Sequence, residues 1–300
     1  MELFFYRCQK PNFGDELNTW MWPRLLNGVW DGDDNTTFIG IGSVINDQFP
    51  AHRNKIVFGA GYGGYTALPT IDERWKFYFV RGRHTARTLG LDERLGIGDA
   101  AILLRSLIPH GVPKRYKVSF MPHWETTLDG NWELACQLGG IHYIDPCAPV
   151  EQVLAEIQAS ELVLTEAMHG AIVSDALRVP WIPIKPLVSI HHMKWHDWAS
   201  ALDLELKPVA MLPSSLLEIA ALHFHEHRRR MADRIREQAR FLQHVGSHVF
   251  ANRAAERLNA IGRSVAPSLS SDRAIAMAHE QMLGKLDELV ADLGRGKVLC

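Results

Sequence analysis

Residues 162–184, LVLTEAMHGAIVSDALRVPWIPI, constrain the fold more than any other segment. An apolar β-rich run, LVLT, stops at Glu166; a helical pattern, GAIVSDAL, follows; a second apolar run, WIPIK, comes after one proline. Strands with no polar face need cover on both sides, which a parallel sheet between helices provides. The same turn sets Glu166 and His169 where the helix begins. Free N–H groups and the helix dipole favour negative charge there, so a proton-transfer pair at this place suits an anionic substrate.

The pattern recurs along the chain. Runs at Glu2–Arg7, Thr36–Ile41, Lys55–Phe58 and Phe77–Arg81 read as buried strands separated by loops and helical segments. A second cycle starts at Tyr116 with YKVSFMP, continues through a helix around Trp132–Leu138, strand IHYID and helix VEQVLAEIQA, and ends in the segment above. Between the cycles, residues 109–115 (PHGVPKR) interrupt regular structure with two prolines and a glycine. The expected class is α/β: two doubly wound parallel-sheet, Rossmann-like domains at residues 1–112 and 113–212, with a helical C-terminal segment at 213–300 broken once at GRSVAPSLSSD. Such sheets bind ligands in the crevice outside the carboxyl ends of their strands, and each sharp motif falls at a strand end.

Thirty-two basic against thirty-four acidic residues leave a net charge of −2, too little for a broad nucleic-acid footprint. Four scattered cysteines form no CxxC pair, no signal-peptide pattern is present, and no apolar run approaches the ~20 residues of a membrane span. A cytoplasmic protein with reduced thiols is expected. Residues 59–64 (GAGYGG) match GxGxxG after a strand, but YTALPTIDERW follows instead of a helix, so a dinucleotide site is not expected. His223, His225 and His227 do not make a zinc motif. Arg228, Arg229 and Arg230, with Arg234 and Arg236, form a basic helix face that reads as solvated or as a peripheral membrane contact.

Four strand ends carry candidate chemistry. After the first strand, Gly14 permits a tight turn and Asp15 can cap the next helix; alternatively Asn12 and Asp15 hold and deprotonate a sugar hydroxyl. Arg81 follows an apolar strand and is the first choice for gripping a carboxylate or phosphate. Asp99 caps a helix or pairs with such an arginine. His123 is a structural histidine or an acid/base group. His169, with Glu166 three residues earlier to orient its ring, is favoured for function. In residues 189–198 (SIHHMKWHDW), Lys194 offers a point charge for phosphate and Trp195 an aromatic face for a sugar.

Taken in order, Asn12-Phe13-Gly14-Asp15, Gly40-Ile41-Gly42-Ser43, Val80-Arg81, Gly98-Asp99-Ala100, Met121-Pro122-His123, and Thr165 to Gly170 followed by Val179-Pro180 resemble the motifs of the polysaccharide pyruvyl transferase family over roughly Leu3–Leu202. The resemblance implies a GT-B-like fold with an acceptor side before and a donor side after the connector. It also implies a cytoplasmic, PEP-dependent transferase, at most peripheral at the inner membrane face. Phosphoenolpyruvate would be the donor substrate and a hexose of a lipid-linked oligosaccharide the acceptor, giving a pyruvate ketal in exopolysaccharide biosynthesis; no metal or other cofactor is implied. Many members have arginine where this chain has Ala167, and an acidic residue where it has Gly82. The expected roles are His169 as acid oriented by Glu166, Asp15 or His123 as base, Arg81 with Lys194 as donor clamp, and Asn12, Gly14, Ser43, Asp99 and Trp195 as substrate contacts. Two rivals stand beside this reading: a nucleotide-sugar glycosyltransferase on the same scaffold, and a catalytically silent sugar-binding component of a polysaccharide assembly complex.

Overall fold

A computed structural model describes residues 1–7, 10–32, 35–109, 111–185, 192–225 and 246–294, the side chains of 192 and 221–225 excepted. The first sheet holds β1 (Glu2–Phe4), β2 (Thr36–Ile39), β3 (Asn54–Phe58) and β4 (Trp75–Phe79) in that spatial order, all parallel. The second holds β5 (Ser119–Met121), β6 (His142–Tyr143), β7 (Val163–Thr165) and β8 (Trp181–Pro183) in the order β6-β5-β7-β8, again all parallel. Every residue of β5, β7 and β8 is buried, as strands covered on both faces must be. The architecture is thus α/β and Rossmann-like, with two four-stranded parallel sheets. The strands stop short of their apolar runs: β1 ends at Phe4 and β4 at Phe79, and the remaining apolar residues enter loops at the sheet's carboxyl edge.

Packing divides the chain into two units. Met1–Gly111, Met193–Leu206 and Ser270–Cys300 form one; Val112–His192 and Lys207–Leu269 form the other. In the first, α1 (Phe13–Leu25) follows β1, and α2 (Arg83–Thr88) follows β4. α6 (His192–Ala201) places Met193 to Ala201 in this unit. In the second, α3 (Trp132–Gly139), α4 (Val150–Gln158) and α5 (Met168–Ala176) connect the strands, and α7 (Leu216–His225) and α8 (Ser247–Ser264) follow. On α8, Ala251, Ala254, Leu258 and Ile261 recur at helical spacing and are buried with Phe120, Trp132, Leu164 and Ile182 of the second core.

The helices after Pro213 therefore divide between the units. α9 (Asp272–Asp292) belongs to the first, with Ile275, Met282, Leu286 and Leu289 buried. Its last turn is fastened to β4, where Lys76 and the Tyr78 hydroxyl both donate to Asp292 at 2.6 Å. Between α8 and α9, Ser268 forms an antiparallel bridge with Trp181 of β8, and Ser271 then caps α9 by accepting from Ala274 N–H at 3.1 Å. Among the described residues, no helix is long and apolar enough to cross a membrane. The basic run at Arg228–Arg236 and residues 189–191 lie outside the described residues, as does the side chain of each histidine at 223, 225 and 227.

Candidate functional site

In the second unit, the groups that can move protons gather at the carboxyl ends of the adjacent strands β5 and β7. Glu166 leaves β7 buried, and its carboxylate accepts from His123 N–H and from the Thr126 hydroxyl, each at 3.0 Å. Glu166 thereby ties the loop after β5 to the turn after β7. His169 stands half-buried in the first turn of α5. Thr165 helps set that turn by donating to Ala167 carbonyl at 2.8 Å. A Cβ at Gly170 would come within 2.4 Å of Thr165 Oγ1, so the helix can approach the strand this closely only with glycine there. His123 is half-buried with Nδ1 3.7 Å from Glu125. The structure thus brings His123, Glu166 and His169 to one edge. The bonds identified for Glu166 hold the His123 loop, a task the sequence did not suggest.

Behind that edge lies a buried acid that sequence reasoning missed. Glu218, in the first turn of α7, accepts from Trp132 Nε1 at 2.9 Å, from Ser214 N–H at 2.6 Å and from the Ser214 hydroxyl at 3.0 Å. Burial pushes its pKa up to about 8, with the Glu166 charge adding to the rise. Ser215 accepts from Glu218 N–H at 3.0 Å and donates to Asp129 carbonyl at 2.5 Å. Ser-x-x-Glu before an apolar run is a capping-box pattern, so the signal was present in residues 215–218. What the pattern does not say is that the carboxylate also fastens the loop that carries Thr126.

In the first unit, Asn12 caps α1 by accepting from Asp15 N–H at 3.3 Å, and its amide donates to the Asp15 carboxylate. Gly14 is buried in this first turn. Asn18, fully buried, accepts from Trp22 Nε1 and Ile41 N–H and donates to Ile41 carbonyl, fixing α1 to the glycine loop. A Cβ at Gly40 would sit 2.2 Å from Trp22 Nε1; one at Gly42 would meet Asp15 Oδ1 at 3.7 Å. Asp15 therefore faces the Gly40–Ser43 loop. The cap expected of Asp15 is made by Asn12 instead, because the helix begins at Phe13 and holds Asp15 within its first turn.

Arg81 corrects an expectation. Its guanidinium, fully buried, donates from Nε to Asp197 at 2.9 Å, from Nη1 to Ser43 at 2.6 Å and from Nη2 to Tyr62 carbonyl at 3.4 Å. Asp197, on α6, also accepts from Thr85 N–H at 2.8 Å and from its hydroxyl at 2.6 Å. A buried arginine needs a counter-charge, and this one has it from within the protein, so its guanidinium is engaged with Asp197 and Ser43 and stands closed to solvent. The same packing accounts for Gly82, since a Cβ there would lie 1.9 Å from Asp197 carbonyl oxygen and no acidic side chain fits.

Trp195 is a second correction: its ring, 3% exposed, belongs to the core and offers no face to a sugar. Lys194 beside it is half-buried. Asp99 is fully buried and caps the 3-10 turn Ala100–Ser106 through Ala101 N–H at 3.0 Å. No helix follows residues 59–64, where Gly61 instead passes over Arg81 with no room for a Cβ. Among the described residues, no group of three or more His, Cys, Asp or Glu side chains is placed to hold a metal ion.

These positions can be set against known proteins. No solved structure matches the chain. It is 40% identical over 212 residues to the succinoglycan biosynthesis protein ExoV of Rhizobium meliloti (strain 1021), covering 69% of this chain and 67% of that protein. The family model for polysaccharide pyruvyl transferase matches residues 30–186, a span that takes in the Gly40–Ser43 loop, Arg81, Asp99, His123, Glu166 and His169. The chain belongs to the polysaccharide pyruvyl transferase family.

Proposed function

We propose that the chain transfers the pyruvyl group of phosphoenolpyruvate to a hexose of an oligosaccharide, forming a pyruvate ketal during exopolysaccharide synthesis. The observation that carries this reading is the cluster at the ends of β5 and β7, in a chain of this family: an imidazole at a helix start, a buried carboxylate, and a second imidazole on the loop which that carboxylate holds. A proton delivered to the methylene carbon of the enol phosphate makes the adjacent carbon electrophilic. One sugar hydroxyl attacks it, phosphate leaves, and a second hydroxyl closes the ketal. Of the two hydroxyl protons released, one balances the proton on the new methyl group and the other leaves with phosphate.

His169 acts as the acid, at the positive end of α5, where the donor's negative charge is also favoured. His123 or Asp15 takes the hydroxyl proton. Asn12, Gly14 and Ser43 shape the acceptor contacts. Lys194 supplies charge to the donor, and Arg81 acts through Ser43. The acceptor is carried on a lipid and met at the inner membrane face by a cytoplasmic enzyme of GT-B type. The catalytically silent reading draws on one observation, Ala167 in place of the family arginine.

Thermal protection by phosphoenolpyruvate, and not by UDP- or GDP-sugars, is the expected result; the reverse pattern removes the proposal. Phosphate release with glycan present excludes the silent reading. His169→Ala should lower turnover by about 10²–10⁴-fold, and near-full activity would end its assignment as the acid.

A further inference from the structure

A groove of about 400 Å³ opens in the second unit at the N-terminal end of α3, lined by Thr127, Asn131, Trp132, Glu133, Gln137 and Tyr143 among others. Its volume falls in the ~300–1,000 Å³ range of small-molecule sites. We propose that it is a saccharide subsite that holds one hexose ring of the acceptor glycan; naming that ligand rests on the pyruvyl-transfer reading above.

The lining chemistry selects the ligand. Two carboxamides, a carboxylate and the Thr127 hydroxyl oxygen, whose proton goes to Trp124 carbonyl at 2.7 Å, supply donors and acceptors in the mixture that vicinal sugar hydroxyls require, and Tyr143 adds an aromatic surface. None of the lining residues is cationic, and Glu133 is exposed at the rim. A trianionic donor would meet repulsion there without a counter-charge, so the groove discriminates against phosphoenolpyruvate and for a neutral polyol.

The groove is also built, not incidental. Trp132 is 3% exposed, packs on Phe120 with ring centroids 5.0 Å apart and donates to Glu218. Gly130 passes over the indole so closely that a Cβ would lie 2.5 Å from the ring. Asn131 N–H donates to Ser214 at 2.8 Å, and Ser214 is itself held by Glu218. Thr127 directly follows Thr126, which donates to Glu166, so one loop carries both the groove wall and a partner of the candidate active-site carboxylate.

Saturation-transfer NMR on the full chain, with methyl hexopyranosides of gluco, galacto and manno configuration as probes, tests the assignment. Wild-type protein should transfer saturation to ring protons of at least one probe, phosphoenolpyruvate should not displace it, and Glu133→Ala/Gln137→Ala should weaken binding about tenfold. Both positions are exposed, so the variant should fold, and its circular dichroism and melting temperature should match wild type. Absence of transfer in wild type, transfer unchanged in the variant, or displacement by phosphoenolpyruvate overturns the proposal. Thermal protection by phosphoenolpyruvate is read on the same samples. If that protection is missing while the glycoside signal is present and sensitive to the variant, the reaction reading falls and the sugar site stands.

Discussion

Removing Asp197 should cost the first unit more than any other single change near its glycine loops. Asp197→Ala deletes the carboxylate paired with a fully buried guanidinium and strands two donors of Thr85. Breaking a buried pair from one side costs about 3–5 kcal/mol, because the remaining charge stays desolvated without compensation. The orphaned Thr85 N–H adds about 1 kcal/mol or more. For a unit of this size that loss lowers the melting temperature by roughly 8–20 °C, readable by calorimetry. The double variant Arg81→Met/Asp197→Leu removes both charges, keeps comparable volume, and should recover stability to within about 2 kcal/mol of wild type. A drop of less than about 3 °C for Asp197→Ala would mean that Arg81 is not held by this partner.

Glu218 titrates near 4.5 when unfolded and near 8 when folded, so between these values the folded chain keeps a proton that the unfolded chain has lost. Stability should therefore fall as pH rises across that window, at about 1.4 kcal/mol per unit, and level off above it. In urea titrations from pH 5 to pH 8, wild type should lose roughly 3–4 kcal/mol more than Glu218→Gln; parallel profiles would show that burial does not raise this carboxyl. Gly82→Ala should destabilise the first unit by about 1–3 kcal/mol, since its Cβ meets backbone and not a flexible side-chain tip; an unchanged melting curve would contradict the close approach of α6.

The two parallel sheets were legible because apolar strands without a polar face have few alternatives. Each run from Glu2–Arg7 to the WIPIK segment overlaps a strand of the structure, usually a shorter one, though β3 begins one residue before its run and β4 lies two residues earlier than Phe77–Arg81. The motif residues were legible too, as positions at strand ends, but not what they touch. Arg81 and Asp197 are 116 residues apart, and nothing local to either names the other. Trp195 carried an aromatic signal that is the same for a sugar platform and a core residue; only burial separates them. Glu218 was hidden for the opposite reason, as a capping-box glutamate whose local role concealed its longer reach to Trp132. The pattern after Pro213 marked a helical segment, but an apolar stripe does not say which sheet it will cover.

That last division affects how the protein is made. The sheet of the first unit is synthesised before the second unit, while α9, whose Ile275, Met282, Leu286 and Leu289 are buried in that unit, follows it. The whole of the second unit, α8 included, emerges in between. Contacts of such long sequence separation form slowly, and the surface awaiting α9 stays apolar and uncovered until the second unit has been made. The first unit to begin folding is thus the last that can finish, and its nascent form is the stage at which chaperone demand and aggregation should concentrate.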